Sequence, residues 1–490
     1  MKRFPLIALC VAAAAVYTVG CASNPATGGK NVVMGSMDGE KKTVQKHHQE
    51  IVKALGLYDD QAVQEYVNLV GQRVAKVSDL PNEEFKFFVI DDEAINAFTT
   101  GCCNVYVNRG LLLNINSEAE LAGVLGHEIG HVTARHPARR QTRGVAASLG
   151  AMAAAILTGS NAIGQLANIG AQAWMQGYGR ENEMEADRLG MKYMTKAGYD
   201  PEQIGKVFVM FQAGEKFERQ RAAAEGREPR LYHGVFSSHP SPDERAVQAA
   251  KGAANIKDAP PGGWLVRHDE YLTTINGIAY GTSKAQGIVR DNRFYHADMG
   301  ITVAFPRGWT IDNQRDSLIA FTPKRDAFMK VLVDRKPDKQ APREFLLTRL
   351  QGASVFKGEP FTSSEGNEGY AIVARTGSPI DNGPVRWAAV YRGQSVFVIA
   401  GASRSALNGV PEIDGLVMSV AQTLRGLRPS EFPLAEPYRI KVVKATDKTS
   451  LSDYAADMPE DKYKKETLEL INAMYPNKKP APGALFKIVE

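Results

Sequence analysis

From Leu6 to Val19 almost every position is apolar or small, and the run is preceded by Lys2 and Arg3. A short apolar stretch behind a basic start reads as a secretory leader over residues 1–20, too short and wrongly flanked for a permanent span. After residue 40 the pattern becomes periodic. "KTVQKHHQEIVKAL" and "QAVQEYVNLVGQRVAKV" place apolar residues every three or four positions, which predicts two helices over 40–78. His47 and His48 lie in the first of them, about 100° apart around its axis, and read as a solvated face. "FKFFVID" (85–91) and "NVYVN" (104–108) predict strands separated by the loop "DEAINAFTTGCC". Ser117 and Glu120 then stand at capping-box spacing and start a helix that Pro137 ends or kinks. "GVAASLGAMAAAIL" (144–157) predicts a buried or lid helix. Further helices are expected near 161–176 and 180–197, the second stopped by Gly198 and Pro201.

"KDAPPGGW" (257–264) has the composition of a linker. Beyond it, alternating or apolar segments such as "GITVAFPRGWTI", "KVLVDRK", "GYAIVART" and "SVFVIAGA" surround helical stretches near 342–351 and 412–425, which predicts an α/β domain over 265–430. Residues 436–490 read strand, helix, helix, strand. The expected fold class is multidomain: a mainly α-helical domain with a small β-sheet over 21–256, the linker, the α/β domain and a small βααβ unit.

The composition, 44% apolar and 23% charged, is that of an ordinary globular protein. The formal charge of +5, two of whose cations sit in the leader, is too weak and dispersed to argue for nucleic acid. Cysteine occurs four times. Cys102 and Cys103 are adjacent, with Cα atoms about 3.8 Å apart across a trans peptide, whereas disulfides prefer roughly 4.4–6.8 Å. A bond between them is expected to be strained, and the pair reads as two small residues in a turn.

The chemistry concentrates in "EAELAGVLGHEIGHVTARHPAR" (118–139). His127 and His131 are four apart and project from one helical face, so both imidazoles can reach one ion. Glu128 points to the side of the pair, where a general base is needed. The competing reading is a helix that merely carries satisfied histidines, since HExxH arises by composition in on the order of one in a hundred chains of this length. A third ligand decides between them. The sixth residue after His131 is Pro137, and His136, five residues on, leaves the ligand face and reads as a structural hydrogen bonder. "GRENEMEADRLG" (179–190) supplies Glu183 and Asp187, four apart on one face of a later helix. Glu183 completes a His–His–Glu set with one position open, and Asp187 is placed to orient a ligand histidine.

HEIGH followed by E-x-x-A-D resembles metallopeptidase family forty-eight. "NAF" (96–98), "VYVNRGLL" (105–112) and "SSHPSPDERAVQAA" (237–250) are also similar to it. The resemblance runs from about residue 40 to 250 and implies a gluzincin fold holding one Zn2+ per chain. It makes His127, His131 and Glu183 the ligands, Glu128 the general base and Asp187 the carboxylate behind them, with His239 and Arg245 over the open position. A contact of Cys102 or Cys103 with the metal is a further option, and "NVYV" is the expected edge for an extended substrate. The ending "TVGC" (18–21) resembles a bacterial lipobox, which implies a lipid on Cys21 and an outer-membrane anchor facing the periplasm. Residues 436–490 resemble a LysM module, with Asn472 and the "FKIV" ending as the matching features, and imply peptidoglycan as a partner. The implied function is zinc endopeptidase action on misfolded or misassembled envelope proteins. The alternative is a latent peptidase, gated by His239, that serves as a chaperone or scaffold.

Overall fold

A computed structural model describes residues 19–34, 36–142, 178–229, 242–256, 258–378, 380, 383–404, 406–407, 410–411, 413–456, 458 and 462–490. Most of the leader, the expected helices at 144–157 and 161–176, and His239 lie outside the described residues. The chain divides into two compact units, one of residues 1–280 with 439–490 and the other of residues 281–438.

In the first unit, strands β1 (Val19–Ser23) and β2 (Lys30–Met34) form an antiparallel hairpin in which Cys21 faces Val32. Helix α1 (Met37–Leu55) starts where the Ser36 side chain accepts the Gly39 amide, and it ends at Gly56, whose φ of 77° favours glycine. Helix α2 (Gln61–Ala75) is capped by Asp60 and buries the stripe Val63, Val67, Val70 and Val74. His48 departs from the solvated reading: its Nδ1 lies 3.1 Å from the Tyr106 hydroxyl and its ring packs 4.4 Å from Phe88.

The sheet beneath these helices has three strands: β3 (Lys86–Ile90), β4 (Ala97–Thr99) and β5 (Asn104–Asn108). Strand β5 is central, parallel to β3 on one side and antiparallel to β4 on the other. Two expectations are corrected here. The segment after β3 contains a strand, and "NVYV" is not an edge: both its ladders are occupied and all five residues of β5 are buried. A strand covered on both faces carries a continuous apolar run, and that same run conceals which strand lies outside it. Between β4 and β5 the structure joins Cys102 and Cys103, both buried, in a disulfide across a cis peptide, in place of the trans geometry expected from the sequence. Their sulfurs cluster with Glu83, apart from the His127 group.

Strand β5 leads through α3 (Arg109–Asn114) into α4 (Glu118–Thr133), which begins where Ser117 Oγ accepts the Glu120 amide at 3.2 Å. Helix α4 stops before Pro137, at Arg135, whose φ is 56°, and helical turns resume over 136–142. Among the described residues four helices follow: α5 (Arg180–Lys196), α6 (Gln203–Glu225), α7 (Pro242–Ala254) and α8 (His268–Ile275). Strand β6 (Ala279–Tyr280) then pairs into a second three-stranded sheet with β7 (Tyr438–Lys444) and β8 (Leu485–Val489), in the order β8-β7-β6. Helices α9 (Leu451–Ala456) and α10 (Lys464–Ile471) connect β7 to β8.

The second unit is built on a seven-stranded sheet, antiparallel throughout, in the spatial order Thr310–Gln314, Ser317–Phe321, Ala327–Arg335, Ser395–Ser403, Val385–Arg392, Glu368–Arg375 and Ser354–Thr362. Alternate residues face opposite sides. Phe397 and Ile399 meet Val417 and Val420 of the helix Asp414–Thr423, while Val396 and Val398 meet Leu346 of the helix Pro342–Arg349.

Candidate metal centre

Two helices carry the site, and small residues let them touch. A Cβ added to Gly126 would meet the Gly190 carbonyl at 2.9 Å, one on Gly130 the Ala186 carbonyl at 2.9 Å, and one on Gly190 the His127 amide at 2.7 Å. Only glycine tolerates such an approach of α4 to α5. The sequence reading missed this contact. Its signal was present, since Gly126 and Gly130 stand four apart, as do Ala186 and Gly190.

The close approach brings His127, His131 and Glu183 together. One donor atom from each lies within 4.8 Å of the others. His131 Nε2 is 3.0 Å from His127 Nε2 and 3.4 Å from Glu183 Oε1, and His127 Nε2 is 3.6 Å from Glu183 Oε2. Donors at about 2.0–2.1 Å from a tetrahedral zinc stand about 3.3 Å apart, so these spacings suit such an ion. The donor set suits it too: two imidazoles and a carboxylate, all buried, are a zinc-type set.

The surrounding groups hold the donors in place. Asp187 Oδ1 lies 2.8 Å from His127 Nδ1, which leaves Nε2 of that ring directed at Glu183. Arg245 reaches Asp187 through Nε and Nη2, both at 2.7 Å, and Glu183 through Nη1 at 3.0 Å, while its guanidinium sits 4.8 Å from the Phe208 ring centroid. Burial pushes the Asp187 carboxyl up, but the Arg245 hydrogen bonds and charge outweigh it and leave it below the usual carboxylate range. Burial holds the His131 imidazole well below its ordinary value against the pull of Glu183. A neutral ring is the form that binds metal.

His136 is a structural hydrogen bonder, as expected, but its partners are the ligand ring and α5 rather than a neighbouring loop. Its Nδ1 lies 2.8 Å from His131 Nδ1 and its Nε2 3.1 Å from Glu185, so it braces the ligand ring itself. The Tyr178 ring stacks on His131 with centroids 4.0 Å apart. Glu128 is 2% exposed and lines a recess with His127, Ala97 of β4, Val124, Val207 and Phe208.

The profile of peptidase family M48 matches residues 61–253, the segment that contains every residue of this cluster. Similar curated proteins include a beta-barrel assembly-enhancing protease of Vibrio cholerae, called putative in its own name, at 33% identity over 205 residues, 40% of each chain. The Escherichia coli K12 beta-barrel assembly-enhancing protease is 29% identical over 210 residues, 41% of each chain. The mitochondrial metalloendopeptidase OMA1 of Schizosaccharomyces pombe is 30% identical over 215 residues, 43% of this chain and 60% of that one. The chain thus spans about two fifths of the bacterial relatives' length. No described helix is long and apolar enough to cross a membrane.

Proposed function

We propose that the chain is a zinc-dependent endopeptidase of the bacterial envelope that acts on misfolded or misassembled envelope proteins. The observation that carries this reading is the meeting of His127, His131 and Glu183 from two helices, with Glu128 beside them, inside the M48 segment. The names of the bacterial relatives, beta-barrel assembly-enhancing proteases, support envelope proteins as the substrate class. The apolar run ending in Cys21 supports secretion and a lipid anchor.

His127, His131 and Glu183 would hold the zinc, which would supply Lewis-acid chemistry there, acidifying water and polarising a carbonyl. Glu128 takes the proton from the attacking water and returns it to the leaving amine. Asp187 and Arg245 keep the donors oriented, Arg245 through its pairs with Glu183 and Asp187 rather than as a free cation. An extended substrate pairs with β4, one of the two outer strands of its sheet among the described residues and the one whose Ala97 shares the recess with Glu128.

Metal analysis with a casein assay on wild type and Glu128→Gln tests this. One zinc per chain in both proteins, with cleavage in wild type and a loss of at least about a hundredfold in the variant, is the expected outcome. Equal cleavage by the two proteins removes Glu128 from the mechanism.

A further inference from the structure

The C-terminal segment packs within the same compact unit as the metal centre. Lys487 of β8 is fully buried, and its Nζ donates to the Leu113 carbonyl at 2.7 Å and the Ile115 carbonyl at 2.9 Å. Those carbonyls belong to the junction at which the chain leaves β5 and α3 and enters α4. That junction is otherwise tied by Glu120, which accepts the Asn116 amide at 2.8 Å and the Ser117 hydroxyl at 3.2 Å. Asn472, the residue that resembles the LysM pattern, is used internally: its Nδ2 donates to the Leu468 and Lys487 carbonyls and its Oδ1 accepts the Lys487 amide. Asn472 therefore clamps β8 to α10 and holds Lys487 in register. Burial pushes the Lys487 amine down to about 7 against the pull of Glu120, a cost with no purpose in a freely tethered module.

A second contact engages α6. Phe217 of α6 packs edge-on against Tyr463 and Tyr475, with centroids 5.6 and 5.8 Å away, and Arg221 lies 5.3 Å from the Tyr463 ring centroid. The opposite end of α6 carries Ile204, Val207 and Phe208, which line the recess beside Glu128. The segment thus grips both the root of the ligand helix and the helix that walls the recess.

We propose that residues 439–490 are a working part of the peptidase, in which Lys487 is a positioning residue that fixes the junction from which the substrate sheet and the ligand helix diverge. This rests on the peptidase reading above. Small misplacements of reacting groups cost rate steeply, so the effect falls on turnover.

The mature chain is compared with its Lys487→Met and Phe217→Ala variants for zinc content, melting temperature and steady-state cleavage of a fluorogenic casein-derived peptide. Both variants are expected to keep one zinc, with kcat per bound zinc at least tenfold lower for Lys487→Met and several-fold lower for Phe217→Ala, at nearly constant KM. A role in stability alone lowers the melting temperature and leaves kcat per zinc unchanged well below the melt; that result for Lys487→Met overturns the proposal. If Lys487→Met does not fold, Phe217→Ala decides, and unchanged kcat there overturns it. A wild type that holds zinc but cleaves nothing overturns the peptidase reading and this one with it. Cleavage by wild type with unaffected variants overturns this one alone.

Discussion

Asp187 illustrates how much of the centre is carried by residues that do not hold the metal. Its carboxylate orients His127 and anchors Arg245, which in turn reaches Glu183. Asp187→Asn keeps the shape but loses the charge that holds the guanidinium. A loss of about 10–100-fold in zinc affinity is expected, read by competition against a chromophoric chelator. Unchanged affinity would mean that the imidazole is held by packing alone. His136 shows where residue-level reading stops. Five residues from His131, it lies off the ligand face of any continuous helix. The helix breaks at Arg135, and the turn swings the ring back onto His131 Nδ1. Spacing arguments assume an unbroken helix, so they could not find it.

At the scale of elements, the site depends on the distance between two helix backbones. Gly190→Val puts a branched side chain where even a Cβ would lie 2.7 Å from the His127 amide. Overpacking of this kind costs about 1–3 kcal/mol, and the displaced ligand helix should also bind zinc more weakly. Gly205 in α6 has nothing within 4 Å of an added Cβ and serves as the control. Gly205→Ala is expected to be neutral or stabilising by up to about 1 kcal/mol in denaturant titrations. Both substitutions gain helix propensity, so a Gly190→Val variant no less stable than Gly205→Ala would remove the contact from the account. Strands β3 and β5 were legible as strands for the same local reason as the helices, through side-chain periodicity, whereas the three-residue β4 was not. Their neighbours were not, because pairing order in β3, β5 and β4 is a property of the sheet and leaves no period in the chain.

For the whole molecule, the division into two units predicts two heat-absorption transitions in calorimetry. Chelation should move only the one that contains residues 1–280 and 439–490. Zinc at a thousandfold excess over its Kd stabilises by about 4 kcal/mol, which shifts such a transition by on the order of 10 °C. A shift of both transitions, or of neither, contradicts a metal confined to the first unit. The expected strand–helix–helix–strand order over 436–490 matches the elements β7, α9, α10 and β8, but their place beside α3 and α6 was invisible in the chain. Nothing local marks Lys487 as buried. In an alternating strand a lysine reads as a solvent-facing residue, and only the carbonyls at Leu113 and Ile115 make its burial possible.

The sequence by itself determined which residues are the candidate donors. The spacing of His127 and His131 on one helical face, and of Glu183 and Asp187 on another, follows from the 3.6-residue turn and needs no knowledge of the fold. Tertiary structure alone decided the rest: that α4 and α5 approach closely enough for those faces to meet, that β5 is the central strand and β4 an outer one, and that the last fifty residues pack against the root of the ligand helix. Local periodicity records which side of an element is apolar. It carries no record of which other element covers that side, and metal geometry depends on that pairing.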